Sequence, residues 1–113
     1  MTDDLELKDL TQYYGTEGYH AVLGANVTDG VAYIMNNGYS WFVTDMIVVL
    51  RMKFKKEEFL AVKLKVENSK AVATIDDGNG KILYTQEYDY TNAKVKELTL
   101  YYTDNVLMLC GEY

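Results

Sequence analysis

Residues 59–90, FLAVKLKVENSKAVATIDDGNGKILYTQEYDY, decide the fold class of this chain. Every second residue from Leu60 to Val66 is a branched aliphatic, and the lysines at 63 and 65 face the other way, as expected of a half-exposed β-strand. The polar tetrapeptide 67–70 and the Asp-Asp-Gly-Asn-Gly run at 76–80 are typical of hairpin turns. The segment therefore predicts antiparallel strands over residues 59–66, 71–75 and 82–90.

The same pattern continues to the C terminus. Residues 98–102 and 106–110 have strand-like composition and flank the tight turn Thr103-Asp104-Asn105. Five sequential strands with short connections predict an antiparallel meander over residues 57–113.

The first half of the chain predicts helices. Asp3 and Glu6 have the spacing of a capping box, which predicts a first helix near residues 3–14. Thr28 or Asp29 can cap a second, short helix that ends at Asn37-Gly38.

Two segments of this half are harder to interpret. Residues 39–52 are apolar nearly all round; their length favours a buried helix, whereas their β-branched content favours a strand. Residues 16–27 show no clean period and predict a loop with one short strand at most. Helices packed on one face of the meander give a two-layer α+β fold, a single domain over residues 1–113 whose first part, 1–53, is mainly helical and acidic.

Composition and charge bound the function. The 113 residues are 49% hydrophobic and 25% charged, which is typical of a globular domain that needs neither metal nor disulfide to fold. The net charge is −6, which argues against direct DNA binding through the phosphates. The whole excess lies in residues 1–50, which hold seven acidic residues and one lysine, whereas residues 51–113 hold ten of each sign.

The sequence shows neither a secretory signal nor a membrane-spanning segment, and this bears on where the protein is expected to reside. The first fifteen residues carry four acidic residues and no apolar run, which does not fit a secretory signal. The longest near-apolar stretch, residues 41–50, is too short to cross a bilayer. The single cysteine, Cys110, is typical of an intracellular protein, so we expect a cytoplasmic protein with no membrane contact.

The inventory for catalysis is thin, with one histidine, one cysteine and two serines. Cys110 and His20 are the only thiol–imidazole combination, but Cys110 ends an apolar run and reads as a small buried hydrophobe. Glu87 and Asp89 are expected on one strand face, where two carboxylates suit general acid–base chemistry, and a small hydrolase is the weakest alternative. We predict no enzyme, no catalytic residue and no cofactor.

No metal site is predicted either. The run Asp76-Asp77-Gly78-Asn79-Gly80 superficially suggests a calcium loop. It lacks the alternating oxygen ligands and the distal glutamate of an EF-hand, so a hairpin turn is the better interpretation.

Eleven tyrosines are the most unusual feature of the composition. Tyr84, Tyr88 and Tyr90 have the even spacing of one strand face, which either packs under the helices or forms an open binding platform. Tyr101 shares a face with Thr99 and is the better candidate for exposure, and Tyr39 is ambiguous. Aromatic platforms that bind RNA also need basic neighbours, which Lys63 and Lys65 could supply, so an RNA- or small-ligand-binding domain is the alternative function.

Seven short blocks, taken together, resemble a family of small bacterial proteins of unknown function that occur on phages, plasmids and other mobile elements. The blocks are Tyr13-Tyr14-Gly15-Thr16-Glu17, Thr28-Asp29-Gly30-Val31, Trp41 with Asp45, Asp77-Gly78-Asn79-Gly80, Tyr84-Thr85-Gln86-Glu87, Leu98-Thr99-Leu100-Tyr101 and Gly111-Glu112-Tyr113. The resemblance implies a common fold and brings no catalytic motif with it.

The resemblance also implies a function. Small acidic proteins on mobile elements often block host defence proteins, and several inhibitors of type II CRISPR nucleases have this size and charge. We therefore predict a non-enzymatic protein-binding module, a counter-defence inhibitor whose acidic half occupies the basic nucleic-acid channel of a host nuclease such as Cas9. Its oligomeric state stays open. The candidate partner-binding residues are Asp3, Asp4, Glu6, Asp9, Tyr39, Tyr88, Tyr90 and Tyr101.

Overall fold

A seven-stranded mixed β-sheet forms the framework of the protein, in a computed structural model that describes residues 18–91 and 93–113. The spatial order is β1-β2-β7-β6-β3-β4-β5, and every neighbouring pair is antiparallel except β2 and β7, which are parallel. The strands are β1 (Tyr19–Val22), β2 (Ala25–Thr28), β3 (Phe59–Glu67), β4 (Lys70–Asp76), β5 (Ile82–Tyr88), β6 (Glu97–Thr103) and β7 (Val106–Leu109). The α+β class is confirmed.

The predicted five-stranded antiparallel meander is wrong in strand number, order and direction. Strand β6 pairs with β3 rather than with β5, because the chain after β5 returns across the end of the sheet, where the Thr91 amide donates to the Ser69 carbonyl at 2.7 Å. The physical reason is burial. A meander would leave β3 at an edge, whereas Val62 and Leu64 of β3 are buried between Ala73 of β4 and Leu100 of β6.

The two additional strands, β1 and β2, form a hairpin in the segment predicted to be mostly loop. Leu23 and Gly24 take positive φ values of 51° and 90° between β1 and β2, the geometry of a two-residue hairpin turn. Each strand has only four residues, too few for an alternating pattern to stand out in the sequence. Residues 19–28 thus hold two strands where at most one was predicted.

Two helices follow this hairpin. Helix α1 (Asp29–Ile34) is capped by Thr28, whose hydroxyl accepts from the Val31 amide at 3.3 Å. After a π-helical segment (Met35–Tyr39), broken at Gly38 with φ +102°, helix α2 (Ser40–Lys53) begins. The predicted second helix and the helical interpretation of residues 39–52 are confirmed. The predicted first helix, residues 3–14, lies outside the described residues.

The core lies between the sheet and the two helices. Phe42, Met46 and Leu50 of α2 are fully buried against Leu60 of β3 and Leu100 of β6, and they belong to one continuous apolar cluster. In the described part of the chain the helices pack on one face of a seven-stranded mixed sheet, not on the predicted five-stranded meander. No helix within these residues is long and apolar enough to cross a membrane.

Asn105, in the β6–β7 turn, ties three parts of the structure together. Its side-chain oxygen accepts from the Tyr102 hydroxyl at 2.6 Å and from the Arg51 guanidinium at 3.3 Å. Its side-chain nitrogen donates to the Gly24 carbonyl at 3.0 Å. The end of α2, the β1–β2 turn and the β6–β7 turn are therefore held in one network.

Candidate protein-binding surface

The sheet face opposite α1 and α2, called here the open face, is where the candidate site lies. Alternate residues of the central strands point toward it, among them Phe59 and Lys63 of β3 and Tyr101 of β6. These side chains are half-buried, whereas their neighbours on the helix-covered face are fully buried. The open face therefore presents side chains that are ordered by the sheet and still reach solvent.

Three rings on the open face form the aromatic cluster, defined as Phe59, Tyr101 and Tyr113. The ring centroids lie 5.2 Å apart for Phe59 and Tyr101, and 5.4 Å from each of these rings to Tyr113. The tilted and edge-on arrangements are favourable for aromatic pairs. Tyr113 is 73% exposed, so the cluster offers a large rigid surface with hydroxyl groups at its rim.

The hairpin between β4 and β5 closes one side of the aromatic cluster. Gly78, with φ +85°, lies against the Phe59 ring, and a Cβ at this position would come within 2.9 Å of two ring carbons. The sequence signals a turn here, and the structure adds the reason for glycine, which is the close approach of an aromatic ring.

Lysines on the open face are paired with carboxylates. Lys63 Nζ lies 3.4 Å from Asp76 Oδ2, whose side chain is nearly buried, and Lys65 Nζ lies 3.9 Å from Glu97 Oε1 on the surface. Because both lysines have an acidic neighbour, they add little unpaired positive charge to the open face. This pairing leaves little of the positive charge that the RNA-binding alternative requires.

Glu112 fixes the position of Tyr113. One carboxylate oxygen accepts from the Thr28 hydroxyl at 2.5 Å and from the Leu109 amide at 3.0 Å, and the other accepts from the Gly30 amide at 3.2 Å. The 3-10 turn Cys110–Glu112 is thereby attached to the start of α1. The sequence analysis did not identify this role of Glu112. The signal for it is Gly30, the second residue of α1, because the Glu112 carboxylate occupies the space that a side chain at position 30 would need.

The tyrosines of β5 lie on the helix-covered face. The Tyr88 hydroxyl donates to Asp45 Oδ2 at 2.9 Å, and the Tyr88 ring meets Trp41 edge-on with centroids 4.8 Å apart. Burial raises the pKa of the Tyr88 phenol well above its usual range, and the hydrogen bond to Asp45 and the charge of Asp45 raise it further. Lys53 lies over the Tyr84 ring at 5.3 Å. Of the two alternatives, packing under the helices is correct for Tyr84 and Tyr88.

The candidate partner-binding residues therefore divide into separate groups. Tyr39 is fully buried and its hydroxyl accepts from the Val95 amide at 3.2 Å, so it presents no surface to a partner, whereas Tyr88 is half-buried. Tyr101 lies in the aromatic cluster, and Tyr90 is 76% exposed, two residues beyond the end of β5. Four acidic candidates lie outside the described residues: Asp3, Asp4, Glu6 and Asp9.

The residues considered for catalysis lie in different surroundings. Cys110 is exposed, and its predicted burial is wrong because β7 ends at Leu109 and the chain turns into the 3-10 segment. His20 Nε2 lies 2.8 Å from Asp29 Oδ1, so its hydrogen-bonding partner is this carboxylate and not the Cys110 thiol. Asp89 follows the end of β5 and so does not share a strand face with Glu87.

The acidic β4–β5 turn uses its carboxylates to hold the backbone. Asp76 accepts from the Gly78 amide at 2.7 Å, and Asp77 accepts from the amides of Asn79 and Lys81 at 2.8 and 3.1 Å. The hydrogen bond from the Asn79 amide, and to a lesser extent that from the Lys81 amide, lowers the pKa of the exposed Asp77 carboxyl. The hairpin interpretation is confirmed, and no group of three or more His, Cys, Asp or Glu in residues 18–91 and 93–113 could hold a metal ion.

Comparison with known proteins gives one match. Residues 4–113 match a family described as a family of unknown function (DUF6876), and the chain belongs to that family. No curated protein and no solved structure matches the chain.

Proposed function

We propose that this member of a family of unknown function is a non-enzymatic protein-binding module whose binding surface is the open face around the aromatic cluster. The observation that carries the proposal is the arrangement of Phe59, Tyr101 and Tyr113, three rings in mutual contact on a face that no described helix covers. Tyrosine is enriched among the residues that dominate protein interfaces, because it combines apolar area, rigidity and one hydrogen-bonding group.

The surroundings of the aromatic cluster support a protein partner over a nucleic acid. Lys63 and Lys65 are paired with Asp76 and Glu97, so a phosphate backbone would have to compete with these carboxylates. A protein surface that offers an apolar pocket would instead bury the exposed Tyr113 ring.

The partner that we propose is a basic, nucleic-acid-binding host defence protein. Residues 1–50 hold the whole net charge of −6, and acidic residues attract a positively charged channel over a distance. In this arrangement the acidic end of the chain accelerates association, and the open face holds the complex together. The counter-defence role follows from the resemblance to proteins of mobile elements.

The test is a binding measurement with two tyrosine variants. The full chain is immobilised, host proteins captured from a lysate are identified, and the purified partner is titrated. We expect Tyr113→Ala to weaken binding by at least about tenfold, a typical loss when a central aromatic contact is removed. Tyr19→Ala removes an exposed tyrosine of β1 outside the aromatic cluster and is the matched control. Equal affinities of Tyr113→Ala and wild type would reject the open face as the binding surface.

The same variants test the RNA alternative. Single-stranded RNA is titrated into the protein while the fluorescence of Trp41 and the tyrosines is followed. We expect no saturable change at micromolar RNA. Saturable quenching that disappears in Tyr113→Ala would favour RNA binding over protein binding.

A further inference from the structure

Strand β5 forms one edge of the sheet. Among the described residues no strand pairs with its outer side, so the backbone amides and carbonyls that point outward have no strand partner there. The strand is seven residues long and contains no proline, and its only charged residue is Glu87. A β-bulge near Ile82, where the β4–β5 register shifts, interrupts one end of this edge, and the regular part of the strand that follows can pair with another strand.

Exposed apolar side chains gather at this edge. Ile82 is 59% exposed at the start of β5, and Tyr90, just beyond its end, is 76% exposed. Met52 of α2 is 76% exposed and lies on the same helical stripe as Asp45, which binds Tyr88 of β5. Helix α2 therefore adds apolar surface beside the strand edge, which is the composition expected of a covered interface.

The sequence of β5 is complementary to itself when two copies run antiparallel. In the register centred on Thr85, residues 83–87 of one strand face residues 83–87 of the other, and Ile82 lies beyond the β-bulge that interrupts the β4–β5 ladder. This register sets Tyr84 opposite Gln86, and Leu83 opposite Glu87, of the second copy. No like charges are opposed.

We propose that two copies of this chain associate by antiparallel pairing of their β5 edges, centred on Thr85, into one continuous sheet of seven strands from each copy. A two-fold axis through Thr85 keeps both helical layers on the same side of the joined sheet, because opposed residues then share a face. The Met52 side chains flank the joint on the helical side. On the other side the joined sheet carries two aromatic clusters.

In this register Thr85 of one copy lies opposite Thr85 of the other, and the experiment changes this residue. Thr85 is exposed, so a charged residue there leaves the fold intact. We expect the wild-type protein to sediment at twice the single-chain mass of 12.9 kDa at high concentration. Thr85→Lys and Thr85→Glu each place like charges opposite each other and are expected to raise the dimer dissociation constant by at least about tenfold. An equimolar mixture of the two variants restores the dimer, because opposite charges then meet.

Thr74→Glu is the matched control, since Thr74 lies on the same face, directly opposite Thr85, but on the interior strand β4. It is expected to dimerise like wild type. A wild-type protein that stays at 12.9 kDa at every concentration overturns the proposal. So does a dimer that both Thr85 variants leave unchanged, or a mixture of these variants that fails to associate.

Discussion

Gly30 is a residue at which an added methyl group would meet the C-terminal turn. A Cβ there would lie 2.5 Å from a Glu112 carboxylate oxygen and 2.6 Å from a Leu109 methyl group. Alanine would otherwise favour a helix by about 1 kcal/mol, but the clash displaces the C-terminal turn. We expect Gly30→Ala to lower the free energy of unfolding by about 1–3 kcal/mol in urea titrations.

Gly18→Ala is the control for this prediction. The nearest atom to a Cβ at Gly18 is 3.7 Å away, an ordinary contact, and the change is expected to stay within about 0.5 kcal/mol. Equal effects of the two substitutions would mean that the contact between Gly30 and Glu112 contributes nothing.

Tyr88 makes stability depend on alkaline pH. Its pKa is raised by burial and by Asp45, so the folded protein keeps the phenol proton that the unfolded chain releases near pH 10. The contribution of protonated Tyr88 to the free energy of unfolding is fully present below this pH and is lost as the pH rises above it. We expect Tyr88→Phe to lose less stability than wild type between about pH 9 and pH 11. Urea titrations across this range measure the difference, and Tyr90→Phe, which removes an exposed phenol, should behave like wild type.

At the scale of elements, the hairpin turns were readable from the sequence. Residues 67–70 and 103–105 were predicted as turns, and Asn68, Ser69, Asp104 and Asn105 all have φ between 53° and 63°. Polar residues mark such positions because asparagine and aspartate tolerate the left-handed conformation. The β1–β2 hairpin was not predicted, because its turn begins with Leu23, which is not a typical turn residue, and each of its strands has only four residues.

Ser69 tests whether the left-handed conformation in these turns has an energetic cost. Its φ of 63° is unfavourable for serine by about 1–2 kcal/mol, and glycine removes that cost while adding about 0.5–1 kcal/mol of entropy to the unfolded chain. We expect Ser69→Gly to stabilise the protein by up to about 1 kcal/mol. Ser40→Gly, at the start of α2 with φ −58°, is expected to destabilise it by a similar amount. The same sign for both changes in thermal unfolding would contradict the argument.

At the scale of the whole molecule, most of the net charge and the aromatic cluster belong to different parts of the sequence. Residues 1–17 hold five acidic residues and one lysine, whereas the described part carries twelve acidic and ten basic residues. The aromatic cluster lies in the nearly neutral part. Association and dissociation of the proposed complex should therefore depend on different residues.

This separation predicts a kinetic signature. Raising the ionic strength should slow association with the partner and change its dissociation rate by less than about threefold, since screening acts on unpaired surface charges. Reversing the charges of Asp3, Asp4, Glu6 and Asp9 should also slow association, whereas Tyr113→Ala should speed dissociation. Surface plasmon resonance at two salt concentrations separates the rates. A dissociation rate that rises steeply with salt would assign the holding contacts to the acidic residues instead.

The sequence by itself determined much of the local structure: a short helix that begins near Thr28 and Asp29, the hairpin turns and the alternating buried face of β3. These features depend on neighbours a few residues apart, and periodicity reports them directly. Only the tertiary structure decided that β6 pairs with β3, that β2 runs parallel to β7, and that Tyr113 joins Phe59 and Tyr101. Strand order depends on which surfaces bury each other across long sequence separations, and no local pattern encodes that choice.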